Sequence, residues 1–175
     1  AYWSFDATTN DLYATYNGTL SNGATYSNIT YFGYGYNLLL NNSLNQSFII
    51  SSPFFNLSYT SFTIEAWIYA YSLSGDNAIF SQCQCTTCKH QCLYMIIRNS
   101  KMYMSFTLDD VIGITSLSIN TWYHIAYVYD YSSQTQIIYL QGNVDGIKTS
   151  SGPYKGQNGS IIIGSSYLSS SSFNG

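Results

Sequence analysis

Alternation of apolar and polar residues is clearest in residues 61–71, SFTIEAWIYAY. The apolar side chains at positions 62, 64, 66, 68 and 70 fall on one side of an extended chain. The opposite side carries large rings and a single charge, Glu65, so neither side suits free exposure to water. The pattern predicts a central β-strand whose second face is covered by another sheet, a crossing loop or a partner.

Shorter runs of the same kind occur along the whole chain. They predict further strands over residues 1–5, 31–40, 47–50, 78–83, 92–98, 101–107, 122–129, 136–140, 144–149 and 160–164. Asn-Gly pairs at 17–18 and 22–23 predict tight turns between short strands, and Asn99-Ser100 predicts a hairpin turn. No stretch has the 3.6-residue period of a helix. We therefore expect an all-β fold, a two-sheet antiparallel β-sandwich.

The chain contains few charged residues for its length. The chain has 175 residues, and we expect one domain over residues 1–175, large enough to bury roughly 70% of its unfolded surface. Aromatic residues make up 18% and charged residues 7%, whereas an ordinary domain has about 25% charged residues. Something other than charge must keep this surface in water.

Two features address that shortage. Asn-x-Ser/Thr acceptor sites for N-glycosylation occur at Asn17, Asn28, Asn41, Asn45, Asn56 and Asn158. In a chain this rich in Asn, Ser and Thr, some of these sites also arise by chance. A surface of Tyr, Ser, Thr and Asn with few Lys also suits burial against copies of itself. Glycans and self-association are compatible.

Charge and hydropathy exclude two classes of partner. The net charge is −3 and the five basic residues are scattered, so no basic stripe is available for nucleic acid. No apolar run is long enough to span a membrane. The chain begins at Ala1 in a strand-like AYWSF without a signal peptide, which fits a mature or excised segment. We expect no cofactor.

All four cysteines lie in one short loop, at Cys83, Cys85, Cys88 and Cys92, with His90 among them. Four sulfurs could hold a metal, but protein zinc sites usually draw ligand pairs from separated segments. Disulfides in an oxidising compartment are favoured and agree with the glycosylation sites. Among the three possible connectivities, the nested pairing of Cys83 with Cys92 and Cys85 with Cys88 is preferred.

Several motifs together resemble a known family. They are FTIEAWI at 62–68, NTWYHIA at 120–126 leading to Tyr129-Asp130, YL at 139–140 with Gly142, Val144, Asp145 and Gly146, WSFD at 3–6, and IIG at 162–164. In this order they look like the laminin-G-like, concanavalin A-like jelly roll. Domains of this kind normally continue after a Phe-x-Gly, here Phe173-Asn174-Gly175, into a closing strand. The resemblance implies that this strand comes from a continuation of the chain or from a neighbouring copy, with the domain one repeat of a longer polymer.

Catalysis has little support in the sequence. Some relatives of this fold carry paired Glu on one strand, as glycoside hydrolysis requires, but Glu65 is the sole Glu and its neighbours on that face are Thr63 and Trp67. We expect Glu65 to be hydrogen-bonded to Tyr or backbone. We expect His124 to be a packed framework residue and not a catalytic base.

Ligand binding is the stronger alternative. Jelly rolls that resemble this one bind sugars or calcium at the loop rim, and Tyr or Trp rings suit sugar C–H faces. Asp109-Asp110 is the densest acidic pair, with Asp76-Asn77 a possible second contribution, although solvated loop acids are favoured over a calcium site.

The sequence as a whole favours an extracellular, glycosylated building block that joins copies of itself by strand pairing and aromatic packing. A lectin-like carbohydrate-binding domain is the alternative, and an enzyme ranks third. The Ser-rich tail, Ser165-Ser166 and residues 169–172, suits O-linked sugar or a plain turn segment.

Overall fold

The computed structural model describes residues 1–168 and 171–175. Ser169 and Ser170, which belong to the Ser-rich tail, lie outside the described residues. The described residues form one 3-10 turn, Asn42–Leu44, and thirteen strands. These are β1 (Thr19–Ser21), β2 (Thr25–Ser27), β3 (Asn37–Leu39), β4 (Ser47–Ile50), β5 (Phe62–Tyr69), β6 (Asn77–Cys83), β7 (Cys92–Arg98), β8 (Lys101–Phe106), β9 (Asp110–Ile112), β10 (Trp122–Asp130), β11 (Thr135–Leu140), β12 (Asn143–Lys148) and β13 (Ile161–Ile163).

Two antiparallel sheets form the sandwich. The larger sheet has seven strands in the order β1-β4-β13-β6-β7-β8-β9, and the smaller has four in the order β12-β11-β10-β5. A separate pair, β2 and β3, forms a third ribbon. The predicted all-β, two-sheet antiparallel jelly roll is confirmed. Within the described residues no helix is long and apolar enough to cross a membrane.

The core lies between the facing surfaces of the two sheets. The predicted hairpin of β7 and β8 turns at Asn99 and Ser100, which both have positive φ, and its inward side chains are fully buried. They are Leu93, Met95, Ile97, Met102, Met104 and Phe106. The smaller sheet contributes Ile125, Tyr127, Tyr129 and Ile138 from β10 and β11. Burial of each aliphatic side chain named here contributes about 1.5–3 kcal/mol to the free energy of folding.

The strand β5 differs from its prediction in one respect. Its aliphatic face packs on the core as expected, but β5 is an edge strand and not a central one. It pairs with β10 on one side, and among the described residues no strand pairs with its other side. The predicted covering of its second face is only partial, because a crossing loop contacts Trp67 while Thr63 and Glu65 remain exposed.

Two predicted strands near the N-terminus are much shorter than expected. Residues 1–5 form an isolated bridge between Trp3 and Asp11, and the positive φ of Phe5 ends the extended conformation. Trp3 and Phe5 instead pack edge-on against Phe48 in the larger sheet. In residues 31–40 only β3 is a strand, because glycines with positive φ turn the preceding residues into a loop.

Residues 173–175 join the ends of two strands. Leu40, directly after β3, exchanges backbone hydrogen bonds with Gly175 (N to O distances of 2.9 and 3.2 Å). The backbone N–H of Tyr71, two residues after β5, donates to the carbonyl of Asn174 at 2.8 Å. The chain therefore approaches the unpaired side of β5 at this point.

Candidate functional site

Aromatic rings cluster at one end of the outer face of the smaller sheet. Strand register places Trp67 opposite His124 and Tyr69 opposite Trp122, on the face that points away from the core. In both pairs the ring centroids are 5.2 Å apart. Because the two pairs stand side by side on β5 and β10, they form one continuous patch.

The loop between β2 and β3, residues 28–36, lies over this patch. Tyr31 stacks on Trp67 with ring centroids 3.7 Å apart and 18° between the ring planes. Phe32 packs edge-on against Tyr31 at 5.1 Å, and Tyr34 lies 6.1 Å from Phe32. The loop thereby extends the aromatic patch beyond the sheet.

Much of this cluster is open to solvent. Tyr34 is 77% exposed, Phe32 is 64% exposed and Trp67 is 36% exposed. The sequence pattern did not predict the arrangement, because the Tyr-rich loop has the composition of a strand; Gly33 and Gly35 were the signal for a loop. We call this set the aromatic surface, and its members are Tyr31, Phe32, Tyr34, Trp67, Tyr69, Trp122 and His124.

A small residue lies beside the aromatic surface on the same sheet face. Ala126 of β10 lies between Glu65 of β5 and Tyr139 of β11 in register. Although Ala126 is on the outer face, it is only 8% exposed. Its methyl group is much smaller than the side chains on either side, which pack over it.

Glu65 lies near an imidazole on the outer face of the sheet. Its Oε2 lies 3.8 Å from Nε2 of His124, and the two side chains are 66% and 33% exposed. The expected hydrogen bond from Tyr or backbone to Glu65 is not found among the described residues. Thr63, Trp67 and Ala126, its neighbours on this face, supply no second carboxylate. An exposed pair of this kind contributes little to stability, so Glu65 is available to other partners.

Asp109 is not the solvated loop acid that the sequence favoured, because it is buried and held by protein donors. Its buried carboxylate accepts hydrogen bonds from Ser151 Oγ and from the backbone N–H of Gly152, both at 2.8 Å, and it pairs with Lys148. Burial would raise the pKa of Asp109, but the bonds from Lys148 and Ser151 and the charge of Lys148 hold it below its ordinary value. Protein donors thereby take three of the roughly four acceptor positions of the carboxylate.

The other candidate calcium ligands are also engaged elsewhere. Asp110 accepts a hydrogen bond from Ser105, and Asp76 forms a two-pronged ion pair with Arg98 (2.7 and 2.5 Å). Asn77 is fully buried at the start of β6. In residues 1–168 and 171–175 no three His, Cys, Asp or Glu side chains are grouped as metal ligands.

The four cysteines form two nested disulfides in the structure, Cys83 with Cys92 and Cys85 with Cys88. Cys83 and Cys92 are cross-strand neighbours at the ends of β6 and β7, where both are buried. His90, in the same loop, lies with Nε2 3.2 Å from Oδ2 of Asp109. Burial lowers the pKa of His90, with help from Lys89, Lys155 and Lys148, while Asp109 opposes the shift.

All six glycosylation acceptor asparagines are exposed and lie outside the strands. Asn17, Asn28, Asn41, Asn45, Asn56 and Asn158 precede or follow β1, β2, β3, β4 and β13. Residues 59–157, which hold both strands under the aromatic surface, contain no acceptor site. Asn28, however, is the first residue of the loop that lies over the aromatic surface, so a glycan at this position would stand beside that surface.

Solved structures share this fold at low sequence identity. Domain 4 of AbnA, a GH43 extracellular arabinanase from Geobacillus stearothermophilus in complex with arabinotriose, superposes with a TM-score of 0.72 at 14% identity, covering 96% of this chain and 82% of that chain. A putative carbohydrate binding protein from Bacteroides ovatus gives 0.57 at 20% identity, covering 73% of this chain and 38% of that chain. Domains LG4-5 of the mouse laminin alpha1 chain give 0.55 at 12% identity, covering 73% and 36%.

A comparison with curated protein sequences finds no significant match. A family model does match the chain, over residues 40–175. This range includes β4 to β13 and therefore most of both sheets of the sandwich. The chain belongs to the Laminin_G_3 family of the concanavalin A-like lectin/glucanases superfamily, as the motifs at 62–68 and 120–126 indicated.

Proposed function

We propose that residues 1–175 form an extracellular adhesive module that binds carbohydrate through the aromatic surface. The observation that carries this proposal is a set of solvent-exposed rings on the loop, Tyr31, Phe32 and Tyr34, held beside Trp67 and the partly buried Trp122 on neighbouring strands of the sheet. The C–H faces of a sugar ring pack well on such rings, and nearby polar groups then fix its orientation. Glu65, His124 and the hydroxyl of Tyr139 can supply those groups.

The structural comparisons support the proposal through likeness of fold. The arabinanase domain was solved with arabinotriose, and the Bacteroides ovatus protein is described as carbohydrate binding. The family is likewise described as one of lectins and glucanases. Calcium is not part of the proposed mechanism, because Asp109 is already held by protein donors.

Affinity electrophoresis in gels that contain soluble polysaccharides tests the proposal. Replacing Trp67 or Trp122 by Ala should weaken retention about tenfold, since one ring contact contributes up to about 1.5 kcal/mol. Tyr94→Ala is the matched control, because Tyr94 stacks on Tyr103 on the outer face of the other sheet. Equal loss in the control variant, or no loss in either Trp variant, would contradict binding at this surface.

Glycosylation and secretion form the second part of the proposal. The six exposed acceptor asparagines would carry N-glycans that replace the missing charge, and paired cysteines fit an oxidising compartment. Intact-mass measurement of the natural material before and after enzymatic removal of N-glycans tests it. A mass that does not change on this treatment would contradict it.

Self-assembly is the second candidate function, and the unpaired side of β5 favours it. An edge strand presents a row of free N–H and C=O groups, and an added strand can pair with them. Copies joined in this way would form the repeat array or filament that a structural building block requires. The added strand would come from a neighbouring copy or from a longer form of the chain.

A charge placed at this edge tests assembly. Thr63→Lys introduces a charge on the outer face of β5, and Val128→Lys introduces the same charge on its cross-strand neighbour, one strand inward. Light scattering and electron microscopy should show that Thr63→Lys reduces association while Val128→Lys does not. A protein that stays monomeric at every concentration, with no filaments in the natural material, would rule out assembly.

A further inference from the structure

We infer that an N-glycan on Asn28 packs on the aromatic surface of its own chain and thereby limits the binding of external carbohydrate there. This inference rests on the carbohydrate binding and the glycosylation proposed above and deepens both. Of the six acceptor asparagines, Asn28 is the one that belongs to the loop over this surface.

The attachment point lies close to the exposed rings. Asn28 is exposed, follows β2 directly and lies three residues before Tyr31, whose ring stacks on Trp67. Three residues span at most about 11 Å, because consecutive Cα atoms are about 3.8 Å apart. The first sugars of a glycan on Asn28 therefore start within reach of Tyr31, Phe32 and Trp67.

Hydrogen bonds fix the part of the loop that carries Asn28. Nδ2 of Asn37, at the start of β3, donates to the carbonyl of Ile29 at 2.8 Å. The hydroxyl of Thr30, the third residue of the acceptor site, donates to the carbonyl of Tyr34 at 2.8 Å. These bonds tie both ends of the acceptor site to the rest of the loop, so a glycan on Asn28 stays confined beside the rings.

The glycan is joined to Asn28 through the side-chain amide. The bond forms between Nδ2 and the anomeric carbon of the first sugar, the amide gives up one proton, and a lipid-linked pyrophosphate leaves that carbon. The transfer needs an accessible Asn-x-Ser/Thr segment and no aromatic group. The aromatic surface therefore acts on the finished glycan and not in its attachment.

Tethering favours this glycan over free carbohydrate. Its C–H faces pack on the exposed rings and remove ring area from water, on a surface that few charges keep soluble. A ligand joined to its site by a short link is present at an effective concentration in the mM range. A free sugar with a Kd of about 1 mM then binds about threefold more weakly when that concentration is about 2 mM.

Expression in secreting eukaryotic cells, with the Asn28→Gln variant beside the unmodified chain, tests the inference. Peptide mass spectrometry should find a glycan on Asn28. In gels that contain soluble arabinan or hydroxyethyl cellulose, the Asn28→Gln glycoprotein should have about threefold higher affinity than the unmodified glycoprotein. Enzymatic removal of all N-glycans should abolish this difference.

A matched variant shows whether the effect belongs to this site. Asn158 is an exposed acceptor that follows Gln157, whose backbone N–H donates to Gln84 in the disulfide loop between β6 and β7 of the larger sheet. Asn158→Gln should therefore leave the affinity of the glycoprotein unchanged. A rise in affinity equal to that of Asn28→Gln would overturn the assignment to Asn28.

Tryptophan emission supplies a second measurement that needs no external sugar. Removal of glycans from the unmodified glycoprotein should shift emission to longer wavelength, because Trp67 becomes wetter, and the Asn28→Gln glycoprotein should not shift. Asn28 without a glycan, or equal affinity and equal emission in the two glycoproteins, would overturn the inference and leave carbohydrate binding standing. Failure of the deglycosylated domain to bind either polysaccharide would overturn both.

Discussion

Tyr31 lies flat on the indole of Trp67, with 3.7 Å between ring centroids. This contact joins a loop that has no strand pairing of its own to the edge strand of the smaller sheet. It gives the indole of Trp67 a packing partner on the outer face of β5, where the described residues place no further strand. The stack holds the other rings of the loop in place over the sheet.

Removing this stack should release the loop. Tyr31→Ala should lower the free energy of unfolding by about 1 kcal/mol, the usual contribution of an aromatic pair. It should also shift tryptophan emission to longer wavelength, because one face of Trp67 becomes wet. Tyr36→Ala is the control, since Tyr36 is in the same loop and is half exposed without a ring contact in the described residues. Identical emission from the two variants would show that the stack is absent in solution.

Asp109 should be required for folding and not for ligand binding. Its carboxylate is buried with Lys148, Ser151 and the N–H of Gly152 around it, so Asp109→Ala leaves the donors at Ser151 and Gly152 and the partly exposed ammonium of Lys148 without their partner. We expect a loss of about 1–3 kcal/mol in urea unfolding, with the same loss in excess chelator. Stability or sugar binding that rises on addition of calcium would instead indicate a metal at this residue.

Acid should weaken the fold through His90 before it affects the carboxylates. In the unfolded chain His90 binds a proton near its ordinary pKa of 6.5, whereas the folded protein binds it only at lower pH. Below about pH 6.5 the unfolded state therefore holds more protons, and stability falls as pH decreases. Asp109, whose folded pKa is lowered from 3.8, adds a second loss at lower pH, as the pH falls through that range.

Urea unfolding at pH 7.5 and pH 5.5 separates the imidazole from the carboxylates. The unmodified domain should lose stability between these two values, and His90→Gln should lose much less. His124→Gln is the control, because His124 is an exposed imidazole on the other side of the sandwich. An equal pH response of the unmodified domain and His90→Gln would exclude His90 as the cause.

The two disulfides should differ in their contribution to stability. Cys83 and Cys92 close a longer loop than Cys85 and Cys88, with sequence separations of 9 and 3, and only the first pair is buried. Replacing Cys83 and Cys92 by Ser should cost about 2–4 kcal/mol, and the other pair should cost less. Denaturation of the two double variants measures both values. A larger loss from the Cys85 and Cys88 variant would reverse this assignment.

The sequence predicted the parts of the fold that depend on local alternation. The β7–β8 hairpin was predicted with its turn and its inward residues, because Leu93, Met95 and Ile97 follow the two-residue period of a strand. The same two-residue alternation also predicted which side chains of β5 point toward the core. It did not show that β5 is an edge strand, because rings beneath a covering loop and rings beneath a second layer give the same pattern.

The candidate site was less predictable because it depends on distant contacts. The donors to Asp109 lie 39 to 43 residues further along the chain. The residues next to Asp109 in the sequence therefore do not show that its carboxylate is hydrogen-bonded within the protein. Tyr31 lies 36 positions from Trp67, and only Gly33 and Gly35 marked its segment as a loop.

The three indole N–H signals of the domain provide the most direct test of carbohydrate binding. Trp67 and Trp122 belong to the aromatic surface, whereas Trp3 packs against Phe48 and donates its Nε1–H to the carbonyl of Tyr16 at 2.7 Å. In a ¹⁵N–¹H titration with arabinotriose or cellotriose, the signals of Trp67 and Trp122 should shift in proportion to occupancy while that of Trp3 stays fixed. Three signals that do not move at saturating sugar, or a shift confined to Trp3, would contradict the proposed function.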